Sequence, residues 1–247
     1  MYHLLRLKKQ GLIGFVAVAG LLISSLSSFA QLRDYLNLPE SDDKPYHIGI
    51  VIMGASSRLQ VTLHPQFLQN DSILSVNPLN TGGLGIGGMH TLRISEHLEA
   101  RVVFPQLLFV NKNIQYQVKY PGSGETPVMT KNIESILLGI PVQLKFRSDR
   151  IGNFRVYMMG GFKYETDLAS KARAQNADDI VKLTSSDLGI EGGIGFNFYM
   201  RFFILSPEIK ISNGISNVHQ RDPDLKFSSV IDKIQSRQIV FSLIFEG

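Results

Sequence analysis

The sequence predicts an all-β protein: an eight-stranded antiparallel transmembrane β-barrel with short periplasmic turns and longer extracellular loops. Three observations carry that expectation. Apolar and polar side chains alternate with period two, the alternating segments are even in number, and the links between them alternate short and long. In ESILLGIPVQLKFRSDRIGNFRVYMMGG (134–161), Ile136, Leu138, Ile140, Val142, Leu144 and Phe146 share one face, while Ser135, Gly139, Gln143, Lys145 and Arg147 share the other. After the polar turn SDRIGN the alternation resumes with Phe154, Val156 and Met158. Successive side chains point to opposite faces only on an extended strand, so each run reads as an amphipathic strand.

Such segments fall at 46–55, 82–94, 97–117, 133–147, 153–166, 185–198, 202–212 and 237–246. The second and third are joined by SE, the fourth and fifth by SDRIG, the sixth and seventh by YMR. The remaining links are longer and polar, for example YPGSGETPVMTK and DLASKARAQNADDIVKL. A water-soluble sandwich has no reason to gather every short turn at one end, whereas an outer-membrane barrel has short periplasmic turns, longer outer loops and an even strand count.

Alternation alone does not fix which face is outside, because a soluble barrel of the lipocalin kind turns its apolar side inward. The polar rows decide it. They carry both signs of charge on Glu99, Arg101, Lys145, Arg155, Lys163, Asp187, Glu191, Glu208 and Lys210, a set expected to neutralise itself as a structural charge network inside a narrow lumen. Gly85, Gly87, Gly139, Gly161, Gly189, Gly193 and Gly195 share that face, where inward side chains crowd. Eight strands leave an interior about filled by side chains, so the lumen is expected to be a packed polar plug and not a channel. Pro105, Pro141 and Pro207 each remove a ladder donor, which places them at bulges or rims.

The domain organisation follows. Arg6, Lys8 and Lys9 precede the apolar run GLIGFVAVAGLLI, and Ser28-Phe29-Ala30 follows it. A basic region, a short apolar run and a small-residue exit are the pattern of a cleaved signal peptide, expected at residues 1–30. The run is shorter than the roughly 20 residues needed to span a bilayer as a helix. Residues 31–44 are expected to be a periplasmic N-terminal segment and 45–247 the barrel, integral to the outer membrane. The chain's formal charge of +4 falls to +1 without residues 1–30, so no basic stripe for nucleic acid is expected. The absence of Cys excludes disulfides and thiolate chemistry.

Two blocks resemble the PorT family, small outer-membrane barrels of the type IX secretion system of Bacteroidetes. They are IPVQLKFRSDRIGNFRVYMMGGFKY and SNGISNVHQRDPDLKFSSVIDKIQSRQIVFSLIFEG. The second carries a Gly-Ile-Ser-Asn turn, Ile231-Asp232-Lys233, the Ser236-Arg237 pair and a closing Phe-Glu-Gly. The resemblance extends thinly over most of residues 40–247. It implies a role in exporting proteins across the outer membrane with other secretion components, and by association in gliding motility. It supplies no catalytic residues.

Chemistry read directly from the residues is sparse. A barrel enzyme cutting or transferring lipid acyl chains or peptides needs a His with Ser or a carboxylate at the outer rim. His64 and His219 fall in expected outer loops, His219 with Asp222 and Asp224 close in sequence, but a triad requires spatial convergence. His47 and His97 fall near the periplasmic strand ends. No HExxH or paired-His spacing occurs, and DPD reads as turn chemistry rather than a calcium loop. GGLGIGG lacks the Lys-Ser/Thr ending of a phosphate loop and alternates like a strand. No catalytic, cofactor-binding or metal-binding residues and no small-molecule substrate are therefore expected. The expected partners are outer-membrane lipid and other secretion-system proteins. The expected function is a non-enzymatic secretion component; the alternatives are an enzyme acting on lipid A or peptides, or an envelope-stability or adhesion barrel. Binding surfaces are sought in the loops at 56–81 and 213–236, since recognition concentrates on loops held by rigid scaffolds.

Overall fold

The computed structural model describes residues 36–67, 72–121, 126–170, 183–220, 225 and 227–247; the expected signal peptide lies outside them. The strands are β1 (Tyr46–Leu63), β2 (Ile73–Leu79), β3 (Thr81–Arg93), β4 (Leu98–Val118), β5 (Val128–Arg147), β6 (Phe154–Asp167), β7 (Ser186–Tyr199), β8 (Ile204–Gly214) and β9 (Ile231–Glu246). β2 and β3 are successive pieces of one stave, since both pair with β4 and only Asn80 separates them. β1 pairs with β3 on one side and β9 on the other. The antiparallel sheet therefore closes into a ring of eight staves, β1-β3-β4-β5-β6-β7-β8-β9. Closure leaves no open edge along the paired staves, which hydrocarbon demands because it offers no hydrogen-bond partners.

The facing is grease outward. On β5, Leu144 and Phe146 are 55% and 54% exposed while Lys145 and Arg147 between and beyond them are 1% and 3% exposed. The same holds for Ile190, Ile194 and Phe196 on β7 and for Ile239, Phe241 and Phe245 on β9, all exposed around buried Glu191, Asn197, Gln238 and Ser242. So large an exposed apolar belt with buried ions is unfavourable in water and stable only against lipid.

Four sequence expectations need revision. Segment 46–55 continues as strand to Leu63, 133–147 begins at Val128, 237–246 begins at Ile231, and much of the supposed loop 56–81 is strand in β1 and β2. The reason is a switch of polarity. Above the belt, outward positions such as Arg58, Gln60, Thr130, Asn132 and Gln117 meet water, while Leu59, Ile73, Ile114, Tyr116, Ile133 and Ile234 turn inward. The barrel wall thus projects past the bilayer as an ordinary water-facing sheet around an apolar core.

The interior is also less uniformly polar than expected. Val51, Met53, Ala55, Met89, Val103, Leu108, Val110, Leu137, Val240 and Ile244 form a buried apolar cluster, so the lumen has an apolar wall on β1, β3, β4 and β9 facing a charged one. The prolines fall where ladders lapse. Pro105 and Pro141 flank the same bulge between β4 and β5, where pairing jumps from Val102↔Val142 to Gln106↔Gly139. Pro207 lies in the gap between Gly195↔Glu208 and Phe198↔Leu205. One inward glycine is dictated by a close approach. A Cβ on Gly195 would collide with the Tyr157 ring, so only glycine leaves room for it.

Candidate functional site

The interior is organised as three layers, beginning at the short-turn end. Residues 36–45 run across that end, and Asp42 is their anchor. Its Oδ1 lies 3.0 Å from Arg155 Nη1 and accepts from the Tyr199 hydroxyl at 3.1 Å; its Oδ2 lies 3.0 Å from Arg150 Nη1. Arg150 stacks over the Tyr199 ring at 3.6 Å and also donates to the Asn37 carbonyl. The Asn37 amide donates to Asn153 Oδ1 at 2.8 Å and its side chain to the Tyr199 carbonyl at 2.9 Å. Leu38 holds a left-handed φ of 50° within this strap, a conformation that costs a non-glycine residue about 1–2 kcal/mol and that these contacts sustain.

Partial burial pushes the Asp42 carboxyl up, but Arg155, Arg150 and the Tyr199 hydroxyl outweigh it and hold it below the ordinary aspartate range. A depressed folded-state value means that the stabilisation is complete above the unfolded value near 3.8 and disappears as pH falls through the lower one. The strap is therefore expected to stay docked through mild acid. Asp42→Asn should release it at every pH, seen as about tenfold faster hydrogen exchange at the Asn37 amide, the scale of losing a charge-assisted hydrogen bond.

The second layer is the charged wall. Arg101 Nη1 on β4 reaches Glu208 Oε2 on β8 at 2.6 Å, and Glu208 also accepts from the Tyr157 hydroxyl at 2.9 Å. Glu99 pairs with Lys145 at 3.1 Å and Arg147 at 2.7 Å. Lys163 lies 3.0 Å from Glu165 and donates to Gln238 at 3.0 Å. Lys210 lies 3.4 Å from Glu191, which also accepts from Gln143. Eight of the nine expected network residues thus fall in ion pairs, Arg155 through Asp42. Asp187 stands apart at the long-loop end, accepting from Ser216 at 2.5 Å and from Ser236. The expected network left out Asp42, Glu165, Glu246 and the Tyr157 and Gln238 partners, and it left out Arg147 and Gln143 although both had been placed on the polar face of 134–161. Lys112 was missed too; it is buried beside a cavity of about 10 Å³ that Glu165, Asp167 and Asp187 also line, room for one water. An inward position on an alternating strand was the available signal for all but Asp42.

The third layer closes the long-loop end with grease. Leu59, Ile73, Ile114, Tyr116, Val118, Ile133, Val218, Phe227, Val230, Ile231 and Ile234 pack as one buried cluster. Within it His219 Nε2 and Ser228 Oγ are 3.0 Å apart, both buried. The His64 amide donates to the Val230 carbonyl at 3.0 Å, His97 pairs with Asp149 at 3.0 Å on an exposed short turn, and His47 is buried at the start of β1; these histidines do not converge. Asp222 and Asp224 lie outside the described residues. Among the described residues, no three His, Asp or Glu side chains are grouped so as to hold a metal ion.

With a closed ring, an apolar exterior and an ion-paired interior in place, sequence comparison agrees: residues 45–220 match the family described as outer membrane protein beta-barrel domain. The chain belongs to that family. It is an outer-membrane β-barrel protein. No curated protein matches it in sequence. Among solved structures it is similar to OprG from Pseudomonas aeruginosa, at 15% identity and TM-score 0.42, covering 82% of this chain and 95% of that one. Neisserial surface protein A gives 10% identity and TM-score 0.41 over 80% and 96% of the two chains. Ail, the attachment invasion locus protein of Yersinia pestis, gives 9% and 0.36 over 83% and 100%.

Proposed function

We propose that this outer-membrane barrel is a non-enzymatic component of a protein-secretion machine of the type IX kind, associated with gliding, and that it works through its rims and loops. The observation that carries the reading is the filled interior. A strap crosses the short-turn end, ion pairs span the middle and an apolar cluster packs the far end, so the described interior leaves no route for a polypeptide. A barrel filled in this way contributes to transport by contact with other proteins, which is how the resemblance of residues 140–164 and 212–247 to the PorT family would be expressed.

A second reading, an enzyme at the outer mouth, is favoured by the His219–Ser228 pair. Ser228 is 0% exposed, however, and a nucleophile needs an approach path as well as a base; the pair reads better as a pin holding residues 227–231 against the barrel. Deleting the gene and measuring both the secretome and the lipid A mass spectrum tests both readings. Loss of several exported proteins with unchanged lipid A is the expected result. Unchanged export with altered lipid A would establish the enzyme, and no change in either would leave an envelope or adhesion barrel.

A further inference from the structure

The belt ends at one height around most of the ring. Outward positions turn from apolar to polar at Asn111 on β4, Glu134 on β5, Thr166 on β6, Ser186 on β7 and Asn213 on β8. On the two neighbouring staves the corresponding positions are Arg58 and Arg237, both exposed and directly opposite each other in the β1–β9 ladder. Arg237 is in turn opposite Asn213, and Asn80 lines the same cleft as Arg58, so one row across four staves reads Asn-Arg-Arg-Asn. Like charges directly opposite on a sheet are destabilising. No carboxylate among the described residues pairs with either arginine. β1 contains no Asp or Glu, and the first one along β9 is Asp232, five residues from Arg237.

The height of the pair matters. From Ile48, where the apolar row of β1 begins, to Arg58 is ten residues, or about 34 Å along an antiparallel strand. A tilt near 45° reduces that to roughly 25 Å of axial rise, the height of the lipid-facing band of such barrels. The arginines therefore stand at the outer headgroup level, where long basic side chains extend to anionic groups while their stems lie on grease. Beneath them the lipid face is indented. Ser56 is the outward residue below Arg58, and a Cβ added at Gly54 or Gly82 would meet nothing within 4 Å. Ser56, Arg58, Asn80, Arg237 and Ile239 line a cleft of about 210 Å³ there.

We propose that Arg58 and Arg237 form a binding site for the phosphate of an outer-leaflet glycolipid headgroup. Two adjacent guanidinium forks match the oxygens of one phosphate, Asn80 and Asn213 can donate to the sugar, and the Gly54–Ser56–Gly82 indentation gives a lipid chain room against the wall. A bound phosphate also turns the arginine pair from repulsive to bridged. Free phosphate shares the headgroup chemistry but not the chain, so the site discriminates between them.

The test is native mass spectrometry of the detergent-solubilised full-length protein titrated with monophosphoryl lipid A, its dephosphorylated counterpart, or inorganic phosphate. The wild type should retain the phosphorylated lipid at least about tenfold more strongly than the other two, and Arg58→Gln/Arg237→Gln should lose that preference. Removing outward charges does not threaten insertion; if the double variant nevertheless fails to fold, either single substitution should weaken retention several-fold. Glu134→Gln, at the same height on the opposite stave, should leave retention unchanged. Equal retention of the two lipids, equal retention by the arginine variants, or equally tight inorganic phosphate would overturn the proposal.

Discussion

Arg101→Met is expected to destabilise the folded barrel by about 3–5 kcal/mol, the cost of breaking a buried ion pair by removing one partner. Arg101 is 1% exposed and holds Glu208 at 2.6 Å, with Glu246 at 4.0 Å and the Tyr157 ring 5.3 Å away. Methionine fills much of the space but, among the described residues, leaves Glu208 with only the Tyr157 hydroxyl within hydrogen-bonding distance and Lys210 as the next cation on its own strand. That carboxylate must then stay ionised without its main partner or take up a proton. Arg101→Met/Glu208→Leu removes both charges and should recover most of the loss, because well-packed apolar groups often replace a buried ion pair at little cost. Urea titration of barrel refolded into lipid vesicles, read by the mobility difference between folded and boiled protein on a gel, measures both. If the double variant were no more stable than the single one, the charge pair would not be the coupled unit that its geometry describes.

How much of this was readable in advance follows from what each feature depends on. The belt was legible because lipid imposes one rule on every stave: on β5 the even residues from Ile136 to Phe146 are apolar and outward without exception. The upper wall was illegible because that rule reverses at Glu134, below which even residues face lipid and above which Ile133 is the inward apolar one. A period-two pattern that changes parity looks like a strand ending in a loop. The membership of the charged wall was largely legible from inward parity, but its pairing was not. Arg101 and Glu208 are 107 residues apart, and which inward cation meets which carboxylate depends on shear and tilt around a closed ring. Asp42 was beyond reach for a further reason: it precedes every strand, so no periodicity marks it, and its importance comes from Arg150, Arg155 and Tyr199 converging on it from two different turns and the strands beside them. The apolar wall of the lumen was hidden because both faces of β4 near Leu107, Leu108, Phe109 and Val110 are greasy, leaving no alternation to read.

Val142→Arg is the complementary experiment, acting from the lipid side. Val142 is 52% exposed and sits near the centre of the outward row of β5, so its replacement carries a guanidinium to the bilayer midplane. On a transmembrane barrel that costs roughly 2–4 kcal/mol, whereas the same change near the interface costs about 0–1. Thr130 provides the control. It is on the same strand and the same outward face but above Glu134, where the wall is already polar, and Thr130→Arg should be nearly neutral. Measuring both variants in the same vesicle-refolding titration separates the effect of lipid from the effect of adding an arginine. A deficit confined to Val142 means that hydrocarbon, and not a protein partner or water, covers this face. Equal losses at the two positions would mean that the apolar rows are covered by something other than a bilayer. The buried ions would then lack the low-dielectric surround that makes their pairing obligatory, so this variant and Arg101→Met probe the two sides of one arrangement.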